Sequence, residues 1–370
     1  MDDNPNYSGL PLPDLYIENF RGIRKLSIPR LGRVTLLAGR NGVGKTTALD
    51  AIRVYAARGR HQALARVLDV HDEITTPSDP REDGTVHFNW SALFYERSIR
   101  EEAPVSIGPR EEAGQLKIRA TVPDYEDPAF SHMSHTLLLR LSEDGLPLFE
   151  VDCQGHGYFL IPLANGGSMP SVEELLPEIE CELVGPGALA RSDMARMWNK
   201  VALTDDEERI AQSIGLTCGL EVSRVGMIGD DVRENGGDRL RGLVRLKSDK
   251  RPVPLRSLGE GAIRLFGVAL ALANSRDGFL LIDEAENGIH HSVQRNYWRM
   301  VLQTAHENNV QVFATTHSWD CVRGFAQAAV ENENVDGVLV RLEKEKDGLR
   351  AVRYSERRLK IAAEQRIEVR

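Results

Sequence analysis

Gly39-Arg40-Asn41-Gly42-Val43-Gly44-Lys45-Thr46 satisfies G-x-x-x-x-G-K-[ST] at every fixed position, with Thr47 directly behind it. Glycines in such a loop let backbone N–H groups turn inward on phosphate oxygens, and a helix starting at the loop adds its positive end. Lys45 would then sit between a β- and a γ-phosphate, and the Thr46 hydroxyl would hold Mg²⁺. Far along the chain, Phe279-Leu-Leu-Ile282 ends in Asp283-Glu284. Asp283 suits a partner to the ion at Thr46, and Glu284 suits a base that orients or deprotonates an attacking water. Ala314-Thr-Thr-His317-Ser318 closes another apolar run. His317 can there sense a γ-phosphate, or it can simply cap the helix that follows. The chemistry these residues predict is binding of ATP with Mg²⁺ and its hydrolysis.

The elements that must position them are legible nearby. Val34–Ala38 is a short apolar run that reads as a buried strand, and Thr47–Tyr55 is apolar at helical spacing. Strand, glycine loop and helix are the context the phosphate loop demands. Leu15–Ile23 and Lys25–Ile28 read as two strands ahead of it, and residues 1–14, with three prolines, as a loose tail. His61–Val70 reads as a helix with Ala63, Leu64, Val67 and Leu68 on one face.

From Val86 to about Leu163 short alternating runs predict an antiparallel β lobe, Thr136–Leu141 among them. Helices are expected over Ala188–Val201 and from Thr204, where Glu207 completes a capping box. Thr217–Ile228 and Leu240–Leu246 read as strands. The last third alternates: helix Gly261–Ala273, strand Gly278–Ile282, helix Val293–Asn308, strand Val310–Thr315, helix Ser318–Val330, then a hairpin over Val338–Tyr354.

Arg256-Ser257-Leu258-Gly259-Glu260-Gly261 opens the first of those helices. A serine hydroxyl and the amides of a Gly-Glu-Gly turn at a helix start form an anion site. Because the phosphate loop already supplies one, a second makes sense if it caps the γ-phosphate held by another subunit. A plain N-cap by Ser257 reads the same residues with no ligand. His290 and His291 lack a third ligand nearby and read as loop residues.

The set and its order resemble an ATP-binding-cassette ATPase head. Ile17-Glu-Asn-Phe-Arg-Gly-Ile23, GRNGVGKTT, SLGEGAIRLF, LLIDEAENGIH and FATTHS look like the overcoming-lysogenization-defect (OLD) ATPases and their stand-alone AAA15 relatives, and more distantly like RecF and Rad50 heads. The resemblance implies an α/β fold, an ABC-type P-loop NTPase head with an antiparallel β lobe and a helical lobe inserted between Walker A and the signature motif. It implies one head over 1–370: strands and Walker A at 15–60, the inserted lobe at 61–235, signature, Walker B and switch histidine at 236–330, hairpin and basic tail at 331–370.

It further implies a homodimer or higher assembly that sandwiches ATP. Lys45, Thr46, Asp283, Glu284 and His317 of one copy would face Ser257, Gly259, Glu260 and Gly261 of the other, with Glu286-Asn287-Gly288 in the dimer-contact loop. The signature departs from the transporter-type LSGGQ, and neither Gln62 nor Gln115 suits the glutamine such heads carry between lobes.

OLD proteins often continue into a Toprim nuclease. Glu343, Glu345 and Asp347 alternate with Lys344 and Lys346, a solvated turn rather than a metal cluster, so the nuclease is expected to be absent. A separately encoded effector, such as a Toprim or other nuclease, is then the expected partner, in antiphage defence or, on the RecF side, DNA repair.

Composition narrows the classes. No apolar run is long enough to span a bilayer, and the N-terminus lacks a signal pattern, so no membrane partner is expected. Cys153, Cys181, Cys218 and Cys321 have neither zinc nor disulfide spacing, which points to the cytoplasm. A net charge of −9 excludes coating of nucleic acid by overall charge. DNA stays a candidate partner through local runs (Arg239, Arg241, Arg245, Lys247, Lys250, Arg251, Arg256, and Arg350 to Lys360), which equally suit a solvated strand face. A nucleotide-sensing platform without hydrolysis is a third reading, disfavoured by an intact Glu284.

Overall fold

The computed structural model describes residues 9–75, 87–121, 148–160, 168–169, 176–187, 189–230, 239–249, 251–332 and 335–354. Its centre is a parallel stack. The phosphate-loop strand β3 (Val34–Ala38) follows the hairpin β1 (Leu15–Phe20) and β2 (Ile23–Ile28) and runs into helix α1 (Lys45–Ala56). Helix α2 (His61–Val70) comes next.

Beyond a small pair, β4 (Ile74–Thr75) and β5 (His87–Phe88), a meander follows. It comprises β6 (Val105–Gly108), β7 (Leu116–Thr121), β8 (Leu148–Cys153), β9 (His156–Leu160) and β10 (Ser168–Met169). It adds antiparallel to β1, so the β lobe extends the main sheet. The expected strand Thr136–Leu141 lies outside the described residues.

After β11 (Cys181–Val184) come α3 (Arg191–Val201) and α4 (Asp205–Cys218), then a separate three-stranded sheet. Its strands are β12 (Val222–Asp230), β13 (Arg239–Leu246) and β14 (Val253–Pro254). The chain closes with α5 (Glu260–Asn274), β15 (Phe279–Ile282), α6 (Gln294–Glu307), β16 (Gln311–Thr316), α7 (Trp319–Glu331), β17 (Gly337–Glu345) and β18 (Gly348–Tyr354).

β17, β3, β16, β15 and β11 pair parallel in that order. Parallel strands are covered on both faces, which is why their sequences are continuous apolar runs. Val34 and Leu36, Leu280 and Ile282, Val312 and Ala314 point to one core with α5, α6 and α7; Leu37, Phe279, Leu281 and Phe313 point to the other, with α1 and the hairpin.

Three readings of the sequence are corrected. The tail is not loose throughout: Leu12 is wholly buried, and the buried Gln311 amide bonds both its N–H (3.0 Å) and its carbonyl (2.7 Å). Thr217 and Cys218 end α4 rather than start a strand, because Gly219 takes the left-handed conformation (φ 66°) that closes a helix. The expected capping box forms one residue displaced: Thr204 Oγ1 accepts from the Asp206 amide, but Glu207 accepts from the N–H of Leu203. Strand β11 had no reading at all, yet it brings the Val184 carbonyl to the Asp283 amide at 2.9 Å.

The Phe279 and Phe313 rings meet edge to face at 5.5 Å under the centre of the stack. Phe313→Ala should cost about 3–5 kcal/mol by removing a fully buried ring, read as a lowered urea midpoint with unchanged slope.

Candidate active site

The chain leaves β3 at Ala38 and turns through three glycines of positive φ, Gly39 (149°), Gly42 (69°) and Gly44 (105°). At Gly39 a Cβ would lie 2.8 Å from the Leu342 carbonyl, so only glycine lets the loop rest against β17. Gly44 caps α1, whose first-turn amides have no partner within the helix. Arg40, Asn41 and Gly42 are exposed, Val43 is buried as the loop's anchor, and Thr47 is half-buried.

Lys45 is buried and folds back over the loop, donating to the carbonyls of Gly39 (2.8 Å) and Arg40 (3.0 Å). Burial pushes its ammonium pKa down, and Glu286, Asp283 and Glu284, in that order, pull against the shift. A desolvated cation beside free amides is a site for a polyanion.

The two far segments meet here. Thr46 Oγ1 donates to the Asp283 carboxylate, 3.0 and 3.2 Å from its two oxygens. Thr315, on the neighbouring strand, also donates to Asp283 and accepts the Glu284 amide at 2.9 Å. A hydroxyl against a carboxylate at the mouth of the loop is a hard-oxygen donor set and fits Mg²⁺.

Glu284 has a left-handed backbone (φ 48°), strained for a residue with a Cβ. Thr315 holds its amide, Arg264 its carbonyl (3.3 Å), and Asn287 donates to its carboxylate at 2.6 Å. Such over-determined strain belongs to functional turns.

His317 follows β16 and is half exposed. Its Nδ1 lies 3.1 Å from Glu286 and 4.0 Å from Glu284. The helix-cap reading of His317 gives way to Ser318, which caps α7 by accepting from the Cys321 amide. Of the expected dimer-contact loop, Glu286 is one-tenth exposed and Gly288 is exposed.

The signature stretch forms a short turn over Leu255–Leu258, then Gly259 (φ 96°) caps α5. Ser257 makes no capping bond, so the plain N-cap reading fails; Ser257, Gly259 and Glu260 are exposed. A Cβ on Gly261 would lie 2.8 Å from the Gly288 carbonyl, so this helix start packs directly on the loop after Asp283-Glu284. No signature residue makes a hydrogen bond to the phosphate loop's Lys45 or Thr46 in the same chain.

Arg264, one turn into α5, escaped the sequence reading. It is buried and donates to the carbonyls of Gly185, Gly187 (2.7 Å), Asp283 (2.8 Å) and Glu284. Burial lowers its pKa, with nearby Tyr297 and Asp283 opposing. The signal was present: one charge inside the apolar run Ala262–Ala273 demands buried partners. Thr315 also went unassigned, although it sits in a stretch already singled out, and the contact of Glu286 with His317 was not foreseen. His290 accepts from Ser292 at the start of a short turn, and no metal-holding group of His, Cys, Asp or Glu occurs among the described residues.

Residues 229–320 match the family model "AAA domain, putative AbiEii toxin, Type IV TA system", and residues 14–68 match the model "AAA domain". The two matched segments carry the two halves of this site. The ATP/GTP phosphatase of Helicobacter pylori is 21% identical over 344 residues, 86% of this chain and 88% of that protein. Uncharacterized protein MJECL11 of Methanocaldococcus jannaschii is 33% identical over 92 residues, 25% of this chain and 80% of that protein. Among solved structures, the SMC head domain from Thermotoga maritima aligns with 93% of this chain and 99% of its own, at 15% identity and TM-score 0.43. An SmcHead bound to the C-winged helix domain of ScpA aligns with 93% and 97%, at 12% identity and TM-score 0.46.

Arg264→Met should leave these carbonyls without their donor, costing about 1–3 kcal/mol for each carbonyl left unsatisfied. Thermal unfolding reads the loss, and an unchanged midpoint would show that the arginine is dispensable for the fold.

Proposed function

We propose that this chain, whose lysine, threonine and acids converge on one loop within two segments that match AAA domain models, is an ATPase that closes two copies around Mg-ATP and so acts as a switch. The contact that carries this reading is Thr46 on Asp283 with Glu284 next in line. The name of the Helicobacter relative, ATP/GTP phosphatase, supports nucleoside triphosphate hydrolysis here.

Loop amides and Lys45 bind the β- and γ-phosphates. Thr46 and Asp283 would hold Mg²⁺, which would supply neutralisation of charge on the phosphate oxygens. Glu284 orients a water and takes its proton as the water oxygen bonds to the γ-phosphorus and the bond to the bridging oxygen breaks, releasing ADP. His317 reads the γ-phosphate. Ser257, Gly259 and Glu260 are exposed at a helix start, with Gly261 half-buried behind them, which suits capping of the nucleotide of a second copy.

The motif order supports an OLD-type, stand-alone switch acting in the cytoplasm on a separately encoded effector, in phage defence. No described helix is long and apolar enough to cross a membrane.

A second reading, direct DNA contact as in repair ATPases, has its own observation. On the outward face of β12 and β13 the exposed Arg224 stands opposite Arg245, and exposed Ile228 opposite Arg241. Like charges directly opposed across a ladder are destabilising, and a phosphate backbone would relieve them.

Lys45→Ala should abolish ATP binding by calorimetry, and retained micromolar binding would reject the loop. Glu284→Gln should bind Mg-ATP, hydrolyse it slowly and double in mass by light scattering; a nucleotide-independent mass with normal turnover would reject both the base and the sandwich. For the DNA reading, duplex DNA should raise turnover in a salt-sensitive way, and Arg224→Glu with Arg245→Glu should erase that rise. Turnover indifferent to DNA at low salt would end it.

A further inference from the structure

Two glutamates follow Asp283, and the structure separates their duties. Glu284 is 37% exposed and is tied to Asn287, on its own loop. Glu286 is 10% exposed, and a single oxygen, Oε1, meets His317 twice: it accepts the backbone N–H at 2.9 Å and lies 3.1 Å from ring Nδ1. The same ring nitrogen is 4.0 Å from Glu284, beyond hydrogen-bond reach. His317 is therefore held by the inner glutamate and not by the base.

A buried carboxylate needs compensation. Glu286 lies within electrostatic reach of Lys45 on the phosphate loop and of Arg264 on the signature helix, each of whose charges it favours. It thus acts on one basic group of the phosphate loop and one of the signature helix. One hydrogen bond decides which ring nitrogen of a histidine carries the proton. A carboxylate can only accept, so an Nδ1 lying 3.1 Å from Glu286 favours the Nδ1–H form and leaves Nε2 for a ligand.

We infer that Glu286 is the positioning residue of the switch histidine: it fixes the ring's orientation and its Nδ1–H form so that Nε2 meets the γ-phosphate. This rests on the ATPase reading above. Glu286 touches neither substrate nor the reacting atoms and acts through His317.

The test is a double-mutant cycle with a spectroscopic readout. In the wild type, ¹⁵N spectra of histidine-labelled protein should show His317 protonated at Nδ1. Glu286→Ala should return that ring to the ordinary mixture of forms. It should also lower kcat for ATP about tenfold to a hundredfold, the usual loss when a histidine's orienting partner is removed, with KM little changed. His317→Gln should lose a similar factor, and the double variant no more than the worse single. An unchanged ring signature, wild-type kcat, or losses that multiply would overturn the inference. Should Glu286→Ala fail to fold, Glu286→Gln takes its place in the cycle. Its amide oxygen keeps the backbone N–H satisfied and removes the charge, so kcat falls by a smaller factor, again with no added loss from His317→Gln; full wild-type kcat overturns the inference. If the wild type hydrolyses no ATP, the ATPase reading fails, while the ring signature still reports on the Glu286–His317 contact.

Discussion

The Thr46 hydroxyl reaches the Asp283 carboxylate across 237 residues of chain, and the reach depends on strand register. β3, β16 and β15 lie side by side and parallel, pairing Ala314 with Leu36 and Ile282 with Ala314. β3 and β16 end level, Ala38 beside Thr316, and β15 ends two residues short of them, so Gly39, His317 and Asp283 leave the same edge of the stack. Shifting one strand by a single residue would turn its alternate side chains into the wrong core, Phe313 up and Ala314 down. The two hydrophobic cores hold the register, and the register holds the site. That is why residues without any local contact in sequence end within hydrogen-bond distance.

This dependence also explains what the sequence disclosed. Local elements were legible because each carries its own signal: α2 spans His61–Val70 as its apolar spacing says, and the apolar runs before Gly39, Asp283 and His317 are the strands they resemble. Glycine loops and acids at strand ends announce themselves by type. What stayed hidden depends on tertiary partners. β11 is four residues long, with Glu182 in its middle, and becomes a strand because β15 offers it an edge and Arg196 neutralises that glutamate at 2.8 Å. Arg264 looks like a flaw in an apolar helix until the carbonyls it serves are in place.

Leu12 gives the same lesson in the other direction. Prolines and polar neighbours mark its segment as tail, yet the only acceptor and donor pair it needs is supplied by Gln311 from the far end of the chain. The Thr217 region shows competition between local signals: a β-branched residue argues for strand, but the glycine two residues on ends a helix that is already running. Backbone geometry, not side-chain preference, decided that boundary.

The arginine at 264 also bears on how two distant halves of one site can act together. A buried guanidinium is costly, and backbone carbonyls alone carry no charge to repay it in full. Its position gives a reason to keep it. Arg264 rides on the helix that Gly259 caps and that begins at the signature turn, while its donors end on the carbonyls of Asp283 and Glu284, the second of which is held in a left-handed conformation. Gly261, on the same helix, has no room for a Cβ against Gly288. A displacement of that helix start must therefore press on the loop that carries the acids or pull on the carbonyls that hold Glu284 in its strained turn. Close packing leaves few intermediate arrangements, so the position of the helix start and the orientation of Glu284 are tied by one rigid lever.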